Sequence, residues 1–163
     1  MELRPTTTDD LQTILGWVKN NQEMVMWSGP TFTWPLGYNQ LARYFGNTNR
    51  TYWSAIDVEA QELVGHASLL IDKDADLMRI GFIIVNPEHR GRGVGRNFVE
   101  AVVRQGFQAS TVPVMKLGVY AHNTAALNLY ESLGFTRTGV VFQTTVDEEQ
   151  WDVVDMARPA TPD

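Results

Sequence analysis

The stretch "VNPEHRGRGVGRNF", residues 85–98, decides the fold of this chain. Its centre, residues 90–96 (the glycine loop), alternates arginines with glycines between an apolar run and a helical pattern. Glycine has no Cβ, so a ligand can approach its peptide groups closely. The start of a helix adds unpaired N–H groups and a partial positive charge. The stretch therefore predicts an anion site, best matched by phosphate, formed by Arg90, Gly91, Arg92, Gly93, Val94, Gly95 and Arg96.

The residues before the glycine loop predict an antiparallel meander. Three apolar runs, at 51–58, 63–72 and 77–85, are separated by short polar turns. Near the N-terminus, "ELRPTT" is typical of a short strand at the edge of a sheet, because Pro5 has no backbone N–H to donate.

Two helices are predicted before the meander. The first, within residues 7–20, places its apolar residues on one face, with Thr8 or Asp9 as the N-cap. The second covers residues 38–46. The aromatic stretch between them, residues 24–37, is interrupted by glycine and proline and is predicted to be a loop.

After the glycine loop, the pattern predicts a helix at about 93–107 and a strand at 114–120. A second helix follows, with Asn123 as its N-cap. The chain then forms a hairpin of two strands, 135–146 and 149–157.

This order of elements predicts a mixed α/β (α+β) fold with one central, mostly antiparallel, twisted sheet and about four helices. We expect a single domain over residues 1–157. The Pro-rich remainder, residues 158–163, is expected to be a disordered tail.

Composition excludes several classes of function. The 163 residues carry a net charge of −6, which argues against a nucleic-acid surface and leans weakly toward a cationic acceptor. Without cysteine there is no disulfide, thiolate catalysis or cysteine metal site. The three histidines lie far apart in sequence, so no metal is expected. No window is apolar enough to span a membrane and no signal segment is recognisable, so we expect a cytoplasmic protein with no membrane partner.

Three phosphate-binding motifs compete for the glycine loop. The P-loop pattern is absent, because no Lys-Ser or Lys-Thr pair follows a glycine run. The dinucleotide fingerprint fails because, counted from Gly91, it places Arg96 where the third glycine should stand. The remaining pattern, Arg/Gln-x-x-Gly-x-Gly/Ala, is satisfied by Arg90, Gly93 and Gly95.

With this pattern the chain resembles the GNAT superfamily of acyl-CoA-dependent N-acetyltransferases, from "ELRPTT" to "DVVDMA". The resemblance is strongest in "IGFIIVNPEHRGRGVGRNFVEAVV" and in "VYAHNTAALNLYESLGFTRTG". The second segment resembles the family stretch N-x-x-A-x-x-x-Y-x-x-x-G-F, matched by Asn123, Ala126, Tyr130, Gly134 and Phe135. Two motifs in the right order, about 30 residues apart, are much more specific than the glycine loop alone.

The resemblance implies a sheet splayed at its central strands, with a bulge before the glycine loop, and a slot for the pantetheine arm of acetyl-CoA. The loop would hold the pyrophosphate, and Ile83, Val85, Asn123 and Ala126 would lie along the arm. By the same resemblance, the Val85 N–H polarises the thioester carbonyl and Tyr130 protonates the departing thiolate. The implied reaction acetylates a primary amine of a small molecule or a peptide N-terminus. It proceeds in a ternary complex, because the chain has no cysteine to form a thiol acyl-enzyme.

Each of these features also has a simpler structural explanation. The glycine loop would serve as a turn, and Asn123 would serve as an N-cap, a role compatible with binding. Tyr130 lies on an apolar helix face, where a tyrosine often fills the core with its hydroxyl paired. The strand "RIGFIIV" has no carboxylate, and Asp76 and Glu88 suit solvated turns, so the sequence identifies no general base.

The acceptor is not determined by the sequence. Trp27, Phe32 and Trp34 are candidates either for contacting it or for capping the core. Two other classes of function stay open: a non-catalytic acyl-CoA-binding module, and a structural or interaction domain in which the glycine loop is incidental. A monomer or a homodimer is expected.

Overall fold

The computed structural model describes residues 1–161, which form one seven-stranded sheet and five α-helices. The strands are β1 (Glu2–Pro5), β2 (Arg50–Asp57), β3 (Glu62–Asp72), β4 (Leu77–Val85), β5 (Val114–Tyr120), β6 (Thr136–Val146) and β7 (Glu149–Pro159). The helices are α1 (Thr8–Leu15), α2 (Asn21–Ser28), α3 (Tyr38–Phe45), α4 (Val94–Ala109) and α5 (Thr124–Ser132).

The strand order is β1-β2-β3-β4-β5-β7-β6. All neighbouring strands are antiparallel except β4 and β5, which are parallel and are connected through α4. This arrangement confirms the predicted mixed fold, the meander of β2 to β4, the hairpin of β6 and β7, and the edge position of β1.

β4 and β5 separate soon after they begin to pair. Their register covers only Leu77–Arg79 against Val114–Lys116, so the rest of β4 has no strand partner on that side. The splay implied by the family resemblance is therefore present at the centre of the sheet.

On its other side β4 carries a bulge. His66 of β3 lies opposite Ile84, but Ser68 lies opposite Gly81, so two β4 residues oppose one β3 residue. One of the two, Phe82, has φ of 54°. A residue with a Cβ in this left-handed region costs roughly 1–2 kcal/mol, so the surrounding packing must hold the bulge in place.

The helices differ from the prediction at one place. The helix expected within residues 7–20 ends at Leu15, and a separate helix, α2, occupies part of the predicted aromatic loop. α2 begins because the Asn20 side chain accepts a hydrogen bond from the Glu23 N–H at 2.9 Å. The loop prediction is therefore wrong for residues 24–28, and five helices replace the expected four. None of the described helices is long and apolar enough to cross a membrane.

Two apolar cores hold the helices against opposite faces of the sheet, because successive strand residues point to opposite sides. The core beneath α4 and α5 contains Phe98, Val102 and Phe135. The core beneath α1 to α3 contains Ile14 and Leu41. The splay between β4 and β5 opens at the junction of these two layers.

The C-terminal strand is longer than the sequence suggested. β7 continues to Pro159, with Arg158 paired to Met115 and Pro159 paired to Val114. Residues 158 and 159 of the expected tail are therefore part of the sheet. Residues 162 and 163 of that tail lie outside the described residues.

Candidate active site

The glycine loop turns the chain from the end of β4 into α4. Gly91 and Gly93 have φ of 76° and 77°, a conformation that favours glycine. A Cβ placed on either residue would meet no atom within 4 Å, so the space outside the loop is open. The loop therefore forms an open concave backbone surface at the start of α4.

The N-terminus of α4 lacks a side-chain cap, whereas α1, α2 and α5 each have one. The capping side chains of Thr7, Asn20 and Asn123 accept backbone N–H bonds at 3.4, 2.9 and 3.2 Å. At α4 the N-cap is Gly93, which has no side chain to accept one. The first N–H groups of α4 are left for water or a ligand, and the helix dipole makes an anion the favoured ligand.

The side chains of the three arginines in the loop make different contacts. Arg90 Nε donates to the Val85 carbonyl at 3.2 Å. Arg96 donates to the Ser132 hydroxyl and so ties the start of α4 to the end of α5. Arg92 is exposed and has no hydrogen bond among the described residues.

A cavity of about 870 Å³ lies in the splay. This size is in the usual range for small-molecule and cofactor sites. Seven of the residues predicted to bind the cofactor line it: Ile83, Val85, Arg90, Gly95, Asn123, Ala126 and Tyr130. The structure therefore brings the two sequence motifs together in one slot, which extends from the glycine loop into the sheet.

Val85 turns a free peptide group toward this slot. The next residue, Asn86, donates its N–H to the Val64 carbonyl of β3 at 2.8 Å. Successive peptide groups of a strand point to opposite sides, so the Val85 N–H faces away from β3 and into the splay. No strand pairs with β4 there, and this N–H is available to a ligand.

Tyr130 of α5 stands deep in the slot. It is 8% exposed, and burial raises the pKa of its phenol to about 12. The hydroxyl is therefore protonated at neutral pH and able to donate. No described residue hydrogen-bonds this hydroxyl, so the arrangement differs from that of a core tyrosine with a paired hydroxyl.

Asn123 serves as the N-cap of α5 and also faces the slot. Its Oδ1 accepts the Ala126 N–H at 3.2 Å, and the residue lines the cavity. The side-chain Nδ2 makes no hydrogen bond with the described residues. The capping role of Asn123 is thus observed, and its side-chain Nδ2 is left free to donate to a ligand in the slot.

A second cavity, of about 310 Å³, continues from the first at the closed end of the splay. Residues common to the two linings mark their junction: Met26, Trp27, Ile83, Asn123, Ala126 and Tyr130. The bulge residue Phe82 and the strand residues Arg50, Arg79 and Tyr120 line the second cavity and not the first. Phe82 and Arg50 also border a third cavity. Tyr130 therefore stands where the two cavities meet.

Two buried polar atoms near this junction have no hydrogen-bond partner among the described residues: Trp27 Nε1 and Tyr120 Oη. Trp27 is 9% exposed and Tyr120 is 5% exposed. Leaving a buried donor unpaired costs roughly 1–3 kcal/mol, so such atoms are uncommon in a finished core. Both atoms lie below the cavity surface, so they are unpaired in this structure and do not by themselves define a ligand contact.

The three aromatic residues proposed for the acceptor have separated positions. Trp27 lines both cavities. Phe32 packs on Tyr44 and Phe82 and lines only a third cavity of about 300 Å³. Trp34 is 38% exposed and lines none of the three.

Sequence reasoning missed Arg79 and Tyr120. Arg79 is the only charge in the apolar run "LMRIGFIIV", and that isolation was an available signal. Tyr120 ends β5, just before the Asn123 motif, so it had to border the splay. Arg50 carried no such signal, because it reaches the cavity only through the pairing of β2 with β3.

No described carboxylate lines the second cavity. Asp76 and Glu88 line neither cavity, and Glu23 of the first cavity accepts the Lys19 N–H at 2.7 Å. Within residues 1–161 no group of three His, Asp or Glu side chains could hold a metal. The site therefore offers donors and a free strand edge without a carboxylate in the second cavity, and the imidazole of His122 lines the first cavity.

A model of the acetyltransferase (GNAT) family matches residues 21–135. The N-acetyltransferase aca1 of Schizosaccharomyces pombe is 37% identical over 65 residues, which are 37% of this chain and 29% of that protein. The L-methionine sulfoximine/L-methionine sulfone acetyltransferase of Salmonella typhimurium is 28% identical over 116 residues, 69% of this chain and 67% of that protein. The chain thus spans under a third of the first relative and about two thirds of the second.

Among solved structures, the spermidine N-acetyltransferase of Vibrio cholerae in complex with CoA and spermine has the same fold. The TM-score is 0.83 at 22% identity, and the match covers 97% of this chain and 94% of that chain. At this identity the likeness establishes the fold alone. With the family match, it confirms the resemblance found in the sequence.

Proposed function

The chain belongs to the acetyltransferase (GNAT) family, and we propose that it transfers the acetyl group of acetyl-CoA to a primary amine. The observation that carries the proposal is the continuous slot from the uncapped start of α4, along the free edge of β4, to Tyr130. The names of the relatives support it, because each describes an acetyltransferase. The Vibrio cholerae structure, which holds CoA and spermine, supports both kinds of ligand.

The residues of the slot are suited to acetyl-CoA. The N–H groups at the start of α4 would bind the pyrophosphate, and Gly91 and Gly93 leave the room that it needs. The pantetheine arm would lie along β4, with the Val85 carbonyl and the Asn123 side chain facing its amides, so that the Val85 N–H stays free for the thioester. Bound there, acetyl-CoA supplies an activated thioester.

The chain's own groups account for the transfer. The amine nitrogen forms a bond to the carbonyl carbon, and the Val85 N–H stabilises the negative charge on the carbonyl oxygen. The C–S bond then breaks, and the thiolate takes a proton from the Tyr130 hydroxyl. A phenol of pKa about 12 donates to a thiolate only at hydrogen-bond distance, so positioning is the essential contribution of α5.

The acceptor loses its proton without a dedicated carboxylate in this scheme. The thioester is strongly electrophilic, and the cavities are wide enough for a chain of waters to carry the proton to solvent. Among the predicted aromatic residues, Trp27 is the one placed to contact the acceptor. The cytoplasmic location, the oligomeric state and the limits of the domain stay predictions from the sequence.

The test is thiol release from acetyl-CoA in the presence of a panel of primary amines. We expect turnover with at least one amine, with initial rates that form intersecting lines when both substrates are varied. Parallel lines would exclude direct transfer in a ternary complex. Tight acetyl-CoA binding by calorimetry without turnover for any amine would instead favour the non-catalytic acyl-CoA-binding module.

A further inference from the structure

The second cavity is positively charged, although the whole chain is acidic. Its only charged lining residues among those described are Arg50 and Arg79. The net charge of −6 led us to expect a cationic acceptor, but the local charge has the opposite sign. A cationic group would meet electrostatic repulsion here, and an anionic group would be attracted.

Arg50 is held in place with most of its donors unused. Its Nη1 donates to the Ser68 hydroxyl at 3.1 Å, and its guanidinium carbon lies 4.9 Å from the centre of the Phe82 ring. No described carboxylate lies within 4.0 Å of it. A guanidinium has five N–H donors in a rigid planar fork, and such a fork matches a carboxylate with two parallel hydrogen bonds.

Arg79 is likewise without an acidic partner among the described residues. In the sheet it lies beside Lys116 of β5, and the neighbouring carboxylate is already engaged. Asp155 pairs with Lys116 at 3.5 Å and accepts a hydrogen bond from Thr138 at 2.6 Å. Arg79 is exposed, so its charge is solvated in this structure and free to meet an anion that enters the cavity.

The lining of the second cavity has no group that would neutralise these two charges, because no described carboxylate lines it. Trp27 Nε1 and Tyr120 Oη, which have no hydrogen-bond partner among the described residues, are buried and do not reach the cavity surface. The attraction for an anion therefore depends on the two arginines. Their guanidinium groups favour a small anion with carboxylate oxygens.

We propose that the acceptor is a free α-amino acid, whose carboxylate binds Arg50 and Arg79 while its amine faces the junction of the two cavities. The proposal rests on the proposed function, because that junction contains Tyr130. The cavity volume of about 310 Å³ equals about ten water molecules, which suits one amino acid and not a protein chain. The two functional groups of an α-amino acid are one carbon apart, so binding the carboxylate also positions the amine.

The experiment compares matched acceptors with the full chain and saturating acetyl-CoA. The panel contains the L-amino acids, the carboxamides and decarboxylated amines of leucine, methionine and phenylalanine, and spermidine. We expect at least one of these three amino acids to be used with a kcat/KM about 100-fold above its carboxamide and its amine, because both analogues lose the charged hydrogen bonds. The carboxamide has the more easily deprotonated amine, so intrinsic reactivity works against this order.

Variants then connect the preference to the cavity. In Arg50→Gln and Arg79→Gln we expect kcat/KM for the best amino acid to fall about 10- to 100-fold, mainly through KM, with the carboxamide unaffected. Arg43→Gln is the matched control. Arg43 lines the third cavity together with Arg50 but does not line the second, so an effect exerted through the third cavity would appear in the control as well. Calorimetry should give the same acetyl-CoA affinity in all three variants, and this shows that the slot is intact.

The outcomes separate this inference from the proposed function. Turnover of spermidine or the decarboxylated amines at least as fast as the amino acids would overturn the inference and leave acetyl transfer standing. The same holds if both arginine variants keep the full carboxylate preference. No thiol release with any amine would overturn both.

Discussion

Two buried polar clusters differ in whether their hydrogen bonds are complete. The closed cluster joins α1, α3 and the first three strands, and consists of Arg4, Thr6, Asp10, Tyr44, Ser54 and His66. The open cluster lies at the junction of the two cavities and in the adjoining wall of the second cavity, and consists of Trp27, Tyr120 and Tyr130. Both bury polar atoms, but only in the first does every side chain have a partner within the protein.

The closed cluster is a continuous chain of hydrogen bonds. Arg4 pairs with both oxygens of Asp10 at 2.6 and 2.9 Å, and Ser54 donates to Asp10 at 2.9 Å. Thr6 then connects Ser54, at 2.9 Å, to His66 Nδ1, at 3.1 Å. At the far end the Tyr44 hydroxyl lies 2.9 Å from His66 Nε2.

The comparison distinguishes buried polar groups that stabilise the fold from buried polar groups that bind a ligand. A complete network stabilises one arrangement of the helices on the sheet. An incomplete one costs free energy and needs another explanation, which for Tyr130 is its place in the lining of both cavities. Substitutions in the closed cluster should therefore change stability, and substitutions in the open cluster should change activity.

Tyr130→Phe should produce the largest effect. The change deletes a hydroxyl that has no partner in the protein, so the melting temperature should hardly move. If this hydroxyl protonates the leaving thiolate, kcat falls by about 10²–10⁴, with little change in acetyl-CoA affinity. Steady-state kinetics and thermal unfolding measure the two effects.

Tyr44→Phe is the matched control in the closed cluster. It removes the partner of His66 Nε2 and should lower the free energy of unfolding by about 1–3 kcal/mol with kcat nearly unchanged. The distinction between the clusters would collapse if the two variants behaved alike, for instance if both lost activity in proportion to stability.

Asp10→Ala should have the next largest effect. It removes a carboxylate that is 5% exposed and leaves Arg4 and Ser54 without their acceptor. Because Arg4 is partly exposed, we expect a loss of about 2–3 kcal/mol, below the range for a fully buried pair. Urea unfolding gives the value, and Asp9→Ala, at an exposed position of the same helix turn, is the control. A loss no larger than that of the control would mean that the closed cluster is not a stabilising unit.

Gly93→Val should weaken acetyl-CoA binding with the fold retained. The φ of 77° strains a β-branched residue, and its side chain would occupy the open space reserved for phosphate. We expect Kd to rise about 10- to 100-fold by calorimetry, since several N–H contacts are weakened together. Gly37→Val, at a loop glycine of ordinary φ with free space around it, should leave Kd unchanged. An unchanged Kd in Gly93→Val would mean that the loop is only a turn and does not bind the phosphate.

Between pH 7 and 5, the pH dependence of stability should show the smallest effect, at most about 2 kcal/mol. Burial lowers the pKa of His66 to about 3, against a smaller opposing effect of the Asp10 carboxylate. The folded protein therefore binds this proton less readily than the unfolded chain, whose histidine titrates near 6.5. The contribution of neutral His66 to the free energy of unfolding is fully present above pH 6.5. It decreases as the pH falls toward 3, by at most about 1.4 kcal/mol per pH unit.

Urea unfolding at pH 7, 6 and 5 measures this slope. His66→Gln should flatten it, whatever it does to the stability at pH 7. His122→Gln, at an exposed position, should keep it. The same slope in wild type and His66→Gln would contradict the account of the closed cluster. The carboxyl of Asp10 does not interfere in this range, because its pKa lies below its ordinary value of 3.8: burial raises it, but hydrogen bonds from Arg4, Thr7 and Ser54 outweigh that effect.

Local patterns made much of the fold predictable. β5 was predicted to the residue, because an apolar strand pattern begins after Pro113 and ends before a capping asparagine. The start of α5 followed from Asn123, whose side chain makes the expected capping bond. Such signals lie within a few residues of the element that they define. α2 was missed because its residues lead directly into Gly29 and Pro30, and these two residues led to a loop prediction for the whole stretch 24–37.

The cofactor side of the site was more predictable than the acceptor side, for a physical reason. The glycine loop and the α5 motif are local, and the splay between β4 and β5 brings them together. The second cavity depends on the pairing of distant strands, since Arg50 and Arg79 meet only through β3. Net charge is a weak guide to the acceptor, because a sum over the chain does not describe one cavity.

The most direct test of the central claim is amide hydrogen exchange by NMR, with and without saturating acetyl-CoA. The account predicts that exchange at Val85, Val94 and Gly95 slows by about tenfold or more, because a ligand accepts N–H bonds that the protein leaves open. Amides around the closed cluster, such as those of Thr7 and Asp10, should change little. Binding of acetyl-CoA with no protection at the start of α4 or at Val85 would contradict the claim that the open splay is the site of acetyl transfer.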